Sequence, residues 1–142
     1  MLYRKLALVL CFSFSVCLNA FAQSAYTPAA GSEERKAIMD SLRVPAEKDL
    51  GRKVIFRVDH LRVAGNWAFA RVVPLLPGGG EIDYSRTKYR TQMEEGAFDA
   101  EAECLLRRES DGWKVLEWRF GASDTETPIW IEKYRIPKSL LD

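Results

Sequence analysis

The 142-residue sequence predicts an α+β domain: an N-terminal helix packed on a curved antiparallel sheet of about four strands, with a short C-terminal helix. Three observations carry that prediction. Residues 32–45 show helical apolar spacing, and residues 53–75 and 100–120 each hold two short β-rich runs hinged on a glycine-containing turn.

Ser32 is placed to cap the helix, and Glu33 and Glu34 complement the positive end of its dipole. Ile38, Met39 and Leu42 share one stripe, with Arg35, Lys36, Asp40 and Arg43 elsewhere, as in an amphipathic helix lying on a sheet. Val44-Pro45 is expected to end it, because a residue before proline avoids the helical region.

Lys53 to Val63 is the first strand, and Trp67 to Leu75 returns from a turn at Ala64-Gly65-Asn66. A two-residue Gly65-Asn66 turn would set His60 against Arg71. A three-residue turn would set Leu61 against Phe69 and Asp59 against Arg71, and this opposite-charge pair favours the second register. Pro74 suggests that the return strand ends there or lies at an edge.

Residues 76–99 break the pattern. Pro77-Gly78-Gly79-Gly80 reads as a loop, and a long irregular excursion follows, the first place to look for a binding surface.

In the second hairpin, a three-residue Ser110-Asp111-Gly112 loop faces Leu106 with Leu116, Cys104 with Trp118 and Ala102 with Phe120, giving one wholly apolar face. The other face pairs Glu103 with Arg119 and Leu105 with Glu117 and is expected to be mostly solvated. An Asp111-Gly112 turn would slip the register by one and mix charge into every pair, so it is rejected. After a turn at residues 121–124, Thr127-Pro128 can start a short helix carrying Ile129, Trp130 and Tyr134, stopped by Pro137.

Residues 1–22 have the form of a secretory signal. Arg4 and Lys5 precede an apolar run of 13 residues, Leu6 to Leu18, and Ala20-Phe21-Ala22 supplies small residues before a cut at Gln23. The run is short for a membrane span, which needs roughly 20 residues, so no stable anchor is expected after cleavage. Residues 23–31 read as a flexible leader, and residues 32–142 as a single domain. Loss of Arg4 and Lys5 would take the 21 basic side chains to 19, against 20 acidic ones. That balance argues against a general nucleic-acid binder. Of three cysteines only Cys104 would remain, which excludes an internal disulfide.

No residue set announces chemistry. Asp59 and His60 point to opposite faces of a regular strand, and His60, the only histidine, shares its face with Phe56 and Val58. Cys104 sits on the inferred core face, whereas a reactive thiol needs an electropositive, partly exposed setting. One Cys and one His do not close a zinc site. Gly78 to Gly80 lack the Lys-Ser/Thr of a phosphate loop. Tyr84, Arg86, Lys88, Tyr89 and Arg90 mix aromatics with cations, and in a neutral domain they read as a solvated strand or loop edge. Asp124 suits a turn or cap. No catalytic residue, cofactor or metal ligand is therefore assigned.

A helix followed by two hairpins, ending in Asp111-Gly112-Trp113-Lys114-Val115, resembles the cystatin-like and NTF2-like α+β roll, many of whose members carry a late "DGxW-x-V" strand. Here the tryptophan directly follows the glycine. Residues 36–43, 63–69, 105–108 and 121–124 further resemble small uncharacterised exported bacterial proteins of that roll, across most of residues 32–137. The resemblance implies a long helix in the concave face of a curved sheet, and no activity. Within the superfamily, NTF2-like enzymes place Asp, His and Tyr groups in a cone-shaped pocket, for which this chain offers Asp59, His60, Tyr89 and Asp124. Cystatins inhibit papain-like peptidases through a Gln-x-Val-x-Gly loop. Leu61-Arg62-Val63-Ala64-Gly65 matches its Val and Gly but not its Gln.

The expected function is that of a periplasmic or secreted non-enzymatic binding or interaction domain for an unspecified protein or small ligand; homodimerisation is compatible with it. Its candidate surfaces are the 76–99 excursion and a ring-lined concave face of Leu116, Trp118 and Phe120. The alternative is an NTF2-like small-molecule pocket enzyme, and a third reading is a cystatin-like peptidase inhibitor. A cavity of several hundred Å3 with Asp59, His60 or Asp124 converging would favour the enzyme.

Overall fold

The computed structural model describes residues 24–142; the expected signal segment, residues 1–22, lies outside them. Helix α1 (Glu33–Leu50) is followed by strands β1 (Ile55–Ala64) and β2 (Trp67–Leu75), a short helix α2 (Arg90–Glu94), strands β3 (Ala102–Glu109) and β4 (Gly112–Arg119), and helix α3 (Thr127–Tyr134). The four strands form one open antiparallel sheet in the order β1-β2-β3-β4, so β1 and β4 are its edges.

Ser32 caps α1 as expected, accepting the Arg35 amide at 3.2 Å, and Ile38, Met39 and Leu42 are buried against the sheet. The helix does not stop at Pro45. It runs to Leu50 and ends on Gly51, whose φ of 66° allows its N–H to reach Glu47 O at 2.9 Å. An interior proline costs about 3 kcal/mol. Burying the Leu50 side chain and the Ala46 methyl in the added turns returns roughly 2–3 kcal/mol. The i, i+4 sequence Leu42, Ala46, Leu50 thus roughly offsets the cost of the proline.

Each hairpin contains a bulge on its edge strand. The first turns on Gly65-Asn66, with Gly65 at φ 56°, so the two-residue register holds near the turn: Ala64 faces Trp67 and His60 faces Arg71. Between Val58 and His60 the register shifts by one. The preferred three-residue turn is therefore wrong, although its register reappears beyond the bulge, where Val58 faces Val72. In the second hairpin Cys104 faces Trp118 and Glu103 faces Arg119, as expected. The turn itself is Ser110-Asp111, with Glu109 against Gly112, and Leu106 faces Val115 rather than Leu116. The extra residue, Leu116, takes up the slip.

Pro74 lies on an interior strand, not at a sheet edge. The β2–β3 ladder ends at Val72, however, so the proline falls where β2 has a neighbour on one side only.

Both faces of the sheet are covered. α1 packs on Leu61, Val63, Ala70, Val72, Cys104 and Leu106. On the opposite face Trp130 of α3, Ile136 and Leu140 bury Phe69 and Leu105 completely. The expected solvated face is thus a second core, supplied by the C-terminal segment. α3 forms where expected, with Pro128 in its first turn, Trp130 buried and Ile129 exposed. Residues 24–31 are not a free leader, because Tyr26 exchanges backbone hydrogen bonds of 2.9 and 2.8 Å with Val63.

Candidate functional site

The 76–99 excursion folds back onto the domain instead of standing out as a binding loop. Ile82, Tyr84 and Tyr89 are buried with Ala46, Leu50 and Val54, and Phe98 and Phe120 pack on them. Tyr84 lies 4.8 Å from Phe98, and Tyr89 meets Phe120 edge-on at 5.0 Å, both within the preferred range for ring pairs. Gly121, at φ 79°, is required here: a Cβ would come within 2.6 Å of the Tyr89 ring. The aromatic residues read as a solvated edge are therefore core, on a 3-10 turn and beside α2. Within this stretch residues 77–81 and 90–97 are continuously exposed.

Asp49, in the turn of α1 that was not expected to exist, ties this plug down. Its carboxylate accepts Tyr89 Oη at 2.5 Å and Trp118 Nε1 at 3.2 Å, and pairs with Lys88 Nζ. Burial pushes the Asp49 carboxyl up, but the hydrogen bonds from Lys88, Tyr89 and Trp118 outweigh it and hold it below the usual range. Burial and the Asp49 bond push the Tyr89 phenol well up, and burial takes Tyr84 to about 12. Neither phenol is poised for proton transfer near neutrality. Sequence reading missed Asp49 because it stopped the helix at Pro45. The continuing Leu42, Ala46, Leu50 spacing was the signal that could have found it.

The residues considered for chemistry stand apart. The bulge at Asp59 turns His60 away from the α1 face to which Phe56 and Val58 contribute. His60 Nε2 lies 2.8 Å from Leu140 O, and its ring meets Phe69, so it pins the C-terminal segment to β1. Cys104 is fully buried, and desolvation raises its thiol far above the ordinary value. Asp124 is an exposed partner of Arg119 at 2.7 Å. Val63 and Ala64 of the cystatin-like segment are core residues, so only Gly65-Asn66 forms the hairpin tip. Among the described residues, no group of three or more His, Cys, Asp or Glu is placed to hold a metal ion. No described helix is long and apolar enough to cross a membrane.

Among the described residues, three open depressions bear on function. The first, about 500 Å3, lies between the far end of the β1–β2 hairpin and the excursion, and is lined by Arg57, Asp59, Val73, Glu81, Tyr84, Met93, Asp99 and Glu101. Arg57 grips Asp59 with two bonds of 2.9 and 3.0 Å and holds its carboxyl low. Burial pushes the Glu101 carboxyl up, opposed by Arg71 and aided by the nearby charges of Asp59 and Asp99. Neither His60 nor Asp124 enters this cleft. The second depression, about 510 Å3, is a trough between α1 and the β4 edge with walls of Val44, Pro45, Trp113, Val115, Leu116 and Trp118. Leu116, expected to line the concave face, is bulged into this trough instead. Lys48 and Lys114 stand on its two sides. A smaller hollow of about 400 Å3 continues it past Pro45, Lys48 and Trp118 to Asp49, Lys88 and Tyr89.

Set against protein-family models, curated proteins and solved structures, the chain matches none of them.

Proposed function

We propose that the chain is an exported, non-enzymatic binding domain whose partner docks on the outside of a filled α+β roll. One observation carries the reading: among the described residues, α1 and the rings of the folded-back excursion pack over one face of the sheet and leave depressions only at its margins. What stays open is the apolar trough along the β4 edge, which has the surface character of a docking groove and lacks reacting groups. The signal-like pattern of residues 1–22 supports export to the periplasm or beyond. One helix on a four-stranded antiparallel meander is the arrangement a cystatin-like or NTF2-like roll would present, and supports that kinship. The test is capture by the immobilised mature chain from its own envelope fraction. A stoichiometric protein partner is the expected result, and recovery of none contradicts it.

A second reading has its own observation. The Asp59–Glu101 pair puts a lowered and a raised carboxyl side by side in a 500 Å3 cleft, the pattern of an acid–base couple for a small-molecule enzyme. If that reading held, Glu101→Gln would abolish turnover of a substrate found by screening and leave partner capture intact.

A further inference from the structure

The trough beside β4 has three features that together define an occupant. Its walls are aromatic and aliphatic, and Val44 on the helical side is 72% exposed, a large apolar residue left in water. Its flanks are cationic: among the described residues neither Lys48 nor Lys114 forms an ion pair, while Arg108, which stacks 4.6 Å from the centroid of the Trp113 ring, is already paired with Glu34. Its outer lip is an edge strand, whose outward backbone groups have no neighbour in the sheet, although Trp113 O accepts Ser41 Oγ at 3.0 Å.

Resting on the binding-domain reading, we infer that this trough takes an extended acidic peptide segment that adds to β4 as a further strand. Apolar side chains of the segment sit against Trp113 and Trp118, and its carboxylates meet Lys48 and Lys114. Edge addition accounts for the backbone groups, which an alkyl chain would leave unpaired. The charge of the flanks selects an acidic over a basic segment. From Ser41 to Lys48 the helical wall is about 10 Å long at 1.5 Å per residue. An extended chain covers that length with about three residues at 3.3 Å each. The bulge at Leu116 interrupts regular pairing beyond it, so recognition centres on a short motif.

The test is selection of a phage-displayed random 12-residue peptide library on the mature chain, followed by titration of the enriched peptides by tryptophan emission. Enriched peptides should carry Asp or Glu beside apolar residues at alternate positions. Their affinity should fall at least about tenfold in Lys48→Glu/Lys114→Glu and in Val44→Asp, and stay unchanged in the distant control Arg86→Glu/Lys138→Glu. No enrichment, enrichment of basic or uncharged peptides, or insensitivity to the trough variants overturns the inference. So does a homodimer that Val44→Asp dissociates, which would make a second copy the occupant, or saturable binding of dodecanoate with no peptide enriched. If the inference fails while an envelope partner still binds all these variants, the binding-domain reading survives and this site alone falls. If envelope capture fails as well, both fall.

Discussion

The two edges of the sheet are built alike and finished differently. β1 and β4 are each the bulged strand of a tight hairpin, a common way of twisting an edge away from unwanted pairing. On β1 the finish continues: Tyr26 pairs with Val63, the Arg57–Asp59 ion pair polarises the surface, and Arg62 Nε donates to Asp142 O at 3.0 Å. On β4, among the described residues, no strand pairs with the outer side, α1 reaches the backbone through Ser41 Oγ, which donates to Trp113 O at 3.0 Å, and the adjoining surface is tryptophan, valine and lysine. One edge is capped by the chain itself at Val63, and the other keeps the composition of an interface. The contrast teaches that openness at β4 is selective, since the same chain carries the means to close an edge.

The largest effect expected from breaking this contrast comes from Trp118, which stacks on Phe120 at 5.9 Å and donates to Asp49. Trp118→Ala should cost about 3 kcal/mol in urea unfolding, because it opens the trough into the core. Next is Asp49→Asn, which should cost about 1.5 kcal/mol at neutral pH by weakening three bonds to one carboxylate. The Asp49 carboxyl is held below its unfolded value, so its contribution is present above the ordinary Asp range near 4. It is lost as pH falls through the lower native value. The variant should therefore show a flatter acid limb in stability against pH. An unchanged limb would show that Asp49 does not tie down the plug.

These effects bear on how much was legible beforehand. Period-two and period-3.6 spacing sufficed for the helix on a four-stranded sheet, the apolar pairing of Cys104 with Trp118, and the burial of Cys104. Three things were hidden. A bulge is one residue in an otherwise regular pattern, so Asp59 and Leu116 left no mark, and His60 was assigned to the wrong face. The proline rule describes a local cost, whereas Ala46 and Leu50 are rewarded only once the sheet and excursion exist. Ile82, Tyr84, Tyr89 and Phe98 follow no single period, so a segment that plugs the core read as a loop. The β4 trough belongs to the same class. It needs Val44 to stay helical beyond the expected stop, and only then do Lys48 and Trp113 stand across from each other.

Two smaller effects sharpen the comparison from either side. Tyr26→Pro removes the N–H that reaches Val63 O at 2.9 Å and should cost about 1 kcal/mol, read as a small drop in denaturation midpoint with an unchanged slope. Val44→Asp, at a solvent-exposed helical position, should change stability by less than about 0.5 kcal/mol. A large loss there would mean that the trough is structural.

Amide hydrogen exchange on a chain of residues 24–142 tests the difference between the edges most directly. The account predicts that the Val63 amide, bonded to Tyr26 O at 2.8 Å, exchanges slowly, while the β4 amides that point away from β3 exchange fast. Slow exchange along the outward side of β4, or fast exchange at Val63, would contradict it.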